Sequence, residues 1–382
     1  MVNNAEIVII GGGISGCSIA YNLAKKGVRD IVVIEKNYIS SGATGRCGAG
    51  VRQQWGTEMN CRIAKASIEF FERAKEELEY EGNIEFKQEG YLLVSTTDKE
   101  DKQFEKNVAL QKSLGIEVEK ITPEQAKEIV PYLNTEGVTS ATFCPNDGHL
   151  NPFIMTDAYY RAAERLGVKF YKFTEVTAIN KEGKTITEVV TNKGTIKTSK
   201  VVNAAGGHAK AIGDMVGVDI PVFSENHEIL VTEPVEKTQG PMVMSFSLNI
   251  YCQQTPHGSF IMGRGDKNKK PGFNIESTWS FLDEMSKTVC NILPPVGKLR
   301  MIRQWGGLYN ITPDKQPIYG STKEVENFFM AVGFSGHGFM FGPMTGLLIA
   351  EQILGEENSI DISALSIERF EKGELYLEPS VV

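Results

Sequence analysis

"IVIIGGGISGCSIA", Ile7 to Ala20, is the stretch from which the rest of the chain is read. Its leading apolar residues, Ile7–Ile10, form a short buried strand that stops at glycine. "SGCSIAYNLAKKG" has the spacing of a helix closed by Gly27, and "DIVVIEK" that of a second buried strand. One βαβ unit therefore opens at residue 6. Within it, Gly11-x-Gly13-x-x-Gly16 gives each glycine a task. Gly11 makes the tight turn, Gly13 lets backbone approach a pyrophosphate, and Gly16 lets helix and strand pack closely. The helix N-terminus offers free N–H groups to phosphate. Glu35 ends the second strand, 19 residues after Gly16, where a carboxylate accepts hydrogen bonds from ribose hydroxyls. Strand, helix and acid together predict a dinucleotide site, a fingerprint that NAD and FAD share.

Two further stretches bear on that choice. In "SSGATGRCGAGVRQQWG", Ser40 to Gly56, small residues follow the acid-bearing strand. An extended run of Gly, Ala, Ser and Thr can lie against a large flat cofactor, and Arg46 and Arg52 argue against an inert loop. Near the other end, "VGFSGHGFMFG", Val332 to Gly342, has glycines at 333, 336, 338 and 342 between a strand and a helix.

Between these glycine loops the texture changes twice. "NCRIAKASIEFFERAKEELEYEG" is an amphipathic helix with Ile63, Ser67, Phe70, Phe71, Ala74 and Leu78 on one stripe. "ITPEQAKEIVPYL" begins at a capping box of Thr122 and Gln125 with Pro123 in the first turn, and Pro131 ends it. Asn151 caps "PFIMTDAYYRAAERLG", a hairpin turns through Asn192-Lys193-Gly194, and Pro221 to about Met301 is strand-like. A domain interrupted twice by a second one fits this better than two consecutive domains.

At 382 residues the chain exceeds one ordinary core. Its net charge of −8, with no basic block longer than "KNKK" at 267–270, excludes nucleic acid as a partner. Six cysteines at 17, 47, 61, 144, 252 and 290 show no CxxC spacing, which argues against a zinc or iron–sulfur site in this chain. Scattered thiols read as reduced. With no signal-peptide pattern at the N-terminus and no 18-residue apolar segment, a cytoplasmic chain without a transmembrane segment is expected.

Taken in order, "GGGISGCSIAYNLAKKG" with "VVIEK", "SGATGRCGAGVRQQW", "VVNAAGGHA", "TPDKQPIYG" and "VGFSGHGFM" resemble a known family. They are similar to the FAD-dependent amine and amino-acid oxidoreductases of the D-amino-acid oxidase superfamily. Within it the likeness is greatest to the β-subunits of heterooligomeric sarcosine oxidase and of dye-linked L-proline dehydrogenase. The resemblance implies an α/β fold: a Rossmann-like FAD-binding domain from three segments (1–80, 146–219, 327–382) and an α+β, sheet-based substrate domain (81–145, 220–326) covering the flavin. It also explains glycines at both ends, because FAD is long and its two ends need separate cradles.

The likeness places FAD against Gly11, Gly13, Ile14, Ser15, Gly16, Glu35 and Lys36, then Ser41, Thr44, Arg46, Cys47 and Gly48. Val176, Ala205 and Gly206 follow, with Gly333, Gly336, His337, Gly338, Phe339 and Met340 over the isoalloxazine ring. The helix after that loop would point its positive end at the ring's pyrimidine edge. Oxidation of an amine at flavin needs its α-hydrogen over N5 and an unprotonated amine, with no obligatory protein base. Arg52 is the candidate for substrate carboxylate, which favours a bidentate guanidinium. His337 is a candidate for adjusting the flavin, while His227 and Tyr251 are candidates to face the substrate. Arg303 reads as a brace for the sheet.

Departures from the family narrow the expectation. Monomeric sarcosine oxidases attach FAD to a cysteine just before "TPD"; here Gly307 stands there and no cysteine occurs after 290, so FAD is expected to be non-covalent. Their lysine after "GHGF" is Met340 here, and the arginine of glycine and D-amino-acid oxidases is replaced by Tyr309 and Asn310. Their oxygen-activating lysine falls on Ile261. The expected activity is hydride transfer from a small amino acid with a free carboxylate (sarcosine, L-proline or similar) to FAD. The resemblance further implies a second flavo- or iron–sulfur subunit, with FMN at the partner-subunit interface. A glycerol-3-phosphate-type dehydrogenase, an NAD-dependent oxidoreductase and a flavin-binding subunit without turnover are the alternatives.

Overall fold

Alternation of side chains along Ile7–Ile10 organises half of the molecule. The computed structural model describes residues 1–266 and 268–380. Lys267, which opens the KNKK run, and residues 381–382, which end the third FAD segment as read from sequence, lie outside the described residues. All four residues of Ile7–Ile10 are buried. The strand sits within a six-stranded sheet, in the order Ile318–Ser321, Phe328–Val332, Val201–Asn203, Ile7–Ile10, Ile31–Ile34, Lys169–Tyr171. Every neighbouring pair is parallel except Ile318–Ser321 with Phe328–Val332. That edge strand lies in the span assigned from sequence to the substrate domain, but its pairing puts it in this sheet.

Parallel strands need cover on both faces. Ile7, Ile9, Ile31 and Val33 pack toward the helices, including Ile14–Lys25, Pro152–Arg165 and Gly338–Leu354. Val8, Ile10, Val32 and Ile34 pack with Ile179, Ile186, Val189 and Ile196 of a three-stranded antiparallel sheet. The capping box of Thr122 with Gln125 forms, and Asn151 accepts from the N–H groups of Phe153 and Ile154.

The second sheet has eight strands, in the order Met301–Ile311, Phe223–Thr232, Phe260–Arg264, Ile250–Gln254, Met242–Ser245, Tyr91–Ser95, Ser140–Cys144, Glu119–Ile121. One face buries Leu92, Val94, Leu230, Val243, Cys252, Phe260 and Met262 with Phe281, Met285 and Val289 of the helix Trp279–Ile292. Period-two alternation turns Tyr91, Met242, Met244 and Tyr251 the other way, toward the first sheet's glycine loops. Among the described residues no helix is long and apolar enough to cross a membrane.

Candidate active site

The nucleotide end follows from close approach of backbones. Gly11 has φ of +117°, and a Cβ there would lie 2.3 Å from the Ala204 carbonyl oxygen. A Cβ on Gly16 would lie 2.0 Å from the carbonyl oxygen of Gly11, so helix and strand can meet only at glycine. Gly13 precedes the helix, and the Thr44 hydroxyl accepts from the Ile14 N–H at 3.1 Å, which brings the small-residue run over the helix N-terminus. The following residues Ser15 and Gly16 complete a first turn whose N–H groups have no intrahelical acceptor.

Glu35 accepts from the N–H groups of Gly12 and Asn37 at 2.7 and 2.8 Å, and from the Ser41 hydroxyl at 3.2 Å. It thus shapes the loop at the mouth of the site. Lys36 is exposed and paired with Glu175 at 2.7 Å. Ala205 and Gly206 follow Val201–Asn203 beside Gly11, and Val176 is buried just beyond Thr174, whose N–H donates to the Glu35 carbonyl.

At the other end a cavity of about 90 Å³ gathers residues from the eight-stranded sheet, the small-residue run and the second glycine loop. Cys47, Gly48 and Arg52 come from the small-residue run, and Gly336, His337, Phe339 and Met340 from the second loop. Tyr91, Met242, Met244, Tyr251 and Tyr309 come from the eight-stranded sheet. Gly333 has φ of +77°, and Gly336, with φ of +99°, lies against the Tyr309 ring. Gly338 begins the helix Gly338–Leu354, whose free first-turn N–H groups therefore face this cavity through Phe339 and Met340.

His337 is buried, packed edge-on to Trp55 and Phe341, and neither ring nitrogen has a partner within the described chain. Burial, and secondarily the Arg52 charge, push its pKa down to about 3. The imidazole is therefore neutral near pH 7, with one nitrogen able to donate and the other to accept. Arg52 is 3% exposed and lies 3.8 Å over the Trp55 ring. Among the described residues it makes no ion pair; its guanidinium donates to the carbonyls of Gln54 and Ser380.

His227 does not reach the cavity wall. It stacks on Tyr309 at 4.2 Å and lies parallel to Tyr251 at 5.9 Å, two rings that do line the cavity.

A second cavity of about 450 Å³ shares Cys47 and Gly48 with the first. Its lining includes Tyr38, Arg46, Phe153, Ile261, Arg303 and Trp305. Two of its buried polar atoms, Ser40 Oγ and Gln253 Oε1, have no hydrogen-bond partner in the described chain, while His149 Nε2 lies 3.7 Å from Glu89 Oε2. Arg46 donates to the Gly306 carbonyl at 3.0 Å, and Trp305 Nε1 returns a bond to the Arg46 carbonyl at 3.0 Å, pinning the loop to the sheet edge. Arg303 is exposed over the Trp305 ring. Ile261 faces Gly48, whereas Arg264 points away and pairs with Glu284 at 3.2 Å. A third cleft, of about 790 Å³, is lined by residues of Glu58–Glu77 and 359–364 with Leu114 and Tyr376, and none of the buried polar atoms without a hydrogen bond in the described chain lies there.

The glycine cradle, the helix N-termini and the orphaned imidazole fit FAD. A family model described as FAD dependent oxidoreductase matches residues 6–352. The chain belongs to that family. It is 30% identical to the sarcosine oxidase subunit beta of Arthrobacter sp over 97% of this chain and 92% of that one. With the mitochondrial dimethylglycine dehydrogenase of Rattus norvegicus it shares 29% identity, over 97% of this chain and 45% of that one. Among solved structures, L-proline dehydrogenase from P. horikoshii superposes with a TM-score of 0.94 at 40% identity, covering 98% of this chain and all of that one. Glycine oxidase from Geobacillus kaustophilus, at 24% identity, has the same fold with a TM-score of 0.88 over 96% of this chain and 99% of that one.

For this FAD-dependent oxidoreductase, the sequence missed part of the wall. Trp55 carries Arg52 and His337, and Tyr91 and the two methionines close the cavity. Trp55 was within reach, since it ends the block "VRQQW". Tyr91, Met242 and Met244 had no local signal beyond strand alternation.

Proposed function

We propose that this chain oxidises the C–N bond of a small amino acid bearing a free carboxylate, as the catalytic subunit of a dehydrogenase or oxidase complex. The observation that carries this reading is Arg52: a guanidinium buried beside the flavin-end cavity, without a carboxylate partner among the described residues. A buried cation of that kind is costly unless an anion joins it, and a substrate carboxylate supplies one. When bound, FAD provides the two-electron acceptor. The chain's own residues then orient the substrate and keep its amine neutral. Among the described residues no Asp or Glu lines the cavity, and enclosure beside the Arg52 charge disfavours a protonated amine. Burial raises the phenols of Tyr91, Tyr251 and Tyr309, so these three groups stay uncharged beside Arg52. The neutral His337 and the helix N-terminus at Gly338 supply dipoles for negative charge that develops at the ring.

The finer readings belong to the same proposal. FAD is held non-covalently, in a domain of 1–80, 146–219 and 327–382 that also takes in the edge strand Ile318–Ser321, roofed by 81–145 and the rest of 220–326. FMN lies at the interface with a second, flavo- or iron–sulfur, subunit; the chain's likeness to sarcosine oxidase subunit beta supports a partner subunit. The free cysteines support a cytoplasmic location. Dye-linked turnover of the purified yellow protein tests the reading: activity with sarcosine or L-proline supports it, and activity with glycerol 3-phosphate alone replaces it.

A further inference from the structure

Arg52 is not held by its own segment alone. Its Nη2 donates to the carbonyl of Ser380 at 2.5 Å, across 328 residues of sequence. The tail that brings Ser380 there is fastened by one side chain. Glu378 Oε1 accepts from the N–H groups of Gly56 and Ser380, both at 2.8 Å. Its Oε2 accepts from Thr57 Oγ1 at 2.8 Å and Asn60 Nδ2 at 2.9 Å. Gly56 is where the tail presses closest, since a Cβ there would lie 2.3 Å from Pro379 Cγ. A further bond from Asn107 Nδ2 to Ser380 Oγ, at 2.9 Å, fixes the far side.

This arrangement steadies a buried cation with the backbone carbonyls of Gln54 and Ser380 and puts no carboxylate on its fork. Glu378 is 6% exposed, and its charge acts on Arg52 through space while both its oxygens are engaged by four donors. Asp147, the other nearby carboxylate, is likewise engaged, by Gln53 and Gln54. A direct Glu–Arg pair would neutralise the guanidinium and compete with substrate. A carboxylate one step removed supports the positive charge and leaves it available.

We propose that Glu378 is a positioning residue for substrate binding: by seating the tail on Gly56–Asn60 it holds the Ser380 carbonyl against Arg52 and so fixes the guanidinium for the substrate carboxylate. The inference rests on the reading of Arg52 as the carboxylate ligand.

The test uses the FAD-loaded protein and two non-oxidisable ligands, pyrrole-2-carboxylate and the neutral pyrrole-2-carboxamide, titrated against the flavin absorbance. The readout is the ratio of their dissociation constants, which a general loss of stability does not move. Arg52→Lys should cut the preference for the carboxylate about tenfold or more. Glu378→Gln, with Arg52 intact, should cut it about 3- to 10-fold and leave carboxamide binding and the flavin spectrum unchanged. Should Glu378→Gln not fold, Ser380→Ala, which loses only the Asn107 bond, should cut the ratio about 2-fold. If Arg52→Lys lowers the ratio and the tail variants do not, the tail is structural only and the inference is overturned while the Arg52 reading stands. If Arg52→Lys leaves the ratio unchanged, the Arg52 reading fails and takes the inference with it.

Discussion

Gly346 lies against Ser18: a Cβ on Gly346 would sit 2.0 Å from the Ser18 hydroxyl oxygen and 2.6 Å from its backbone carbon. One turn earlier, Gly342 meets Ile14 in the same way, with 2.6 Å to Ile14 Cγ1. The helices that follow the two glycine loops are therefore in direct contact, and their N-termini are fixed relative to each other. One long cofactor can bridge both.

Gly346→Ala should force these helices apart. The added carbon meets backbone as well as a hydroxyl, so relief by side-chain rotation is incomplete. The expected cost is about 1–3 kcal/mol, seen as a lower melting temperature. FAD should also leave more readily on gel filtration. A variant that melts with wild type and retains its flavin would show that the crossing does not set the cofactor's span.

Acid should weaken the fold through its buried histidines. His337, His227 and His149 are pushed by burial to about 3, 4 and 4, below the ordinary value of 6.5. As pH falls below about 6.5 the unfolded chain takes up protons that the folded chain refuses, so stability present above that pH is lost on acidification. Each such group contributes a slope of about 1.4 kcal/mol per pH unit at most. Asp147 opposes them: burial raises it to about 6, so below that pH its protonated form favours the fold. His208 is also lowered and Glu225 also raised by burial, so the histidines still outnumber the acids and urea stability should be lower at pH 5 than at pH 7. His337→Asn should narrow the gap, and an unchanged gap would mean that His337 is charged or solvated in the fold.

Oxygen reactivity should be low and adjustable. Ile261 faces Gly48 at the junction of the two cavities, and the cation of its own strand, Arg264, is turned away toward Glu284. No positive charge from this strand stands near the ring to stabilise superoxide. Reduced protein should reoxidise in air more slowly than it turns over with dye, and Ile261→Lys should speed reoxidation. Stopped-flow reoxidation as fast as dye turnover in the wild type would refute this.

Local chemistry made much of this legible in advance. Gly11 has the positive φ its turn requires, Gly16 sits where only glycine fits, and the caps at Thr122 and Asn151 form as written. These depend on neighbours a few residues apart. The relations that complete the site span hundreds of residues, and no periodicity records them. Ser380 reaching Arg52 is one case, and the stacking of His227 on Tyr309, 82 residues later in the chain, is another. The pairing of Ile318–Ser321 with Phe328–Val332 likewise depends on an antiparallel edge that texture alone assigned to the other sheet.

Anaerobic titration of the bound flavin tests the proposed amino-acid oxidation most directly. The purified, oxidised protein is mixed with sarcosine or with L-proline in the absence of oxygen and of any dye, and the flavin absorbance is followed. At least one of the two should bleach the flavin completely, with one equivalent of amino acid consumed per FAD. Flavin that stays oxidised with both, while dithionite reduces it normally, would contradict the proposal.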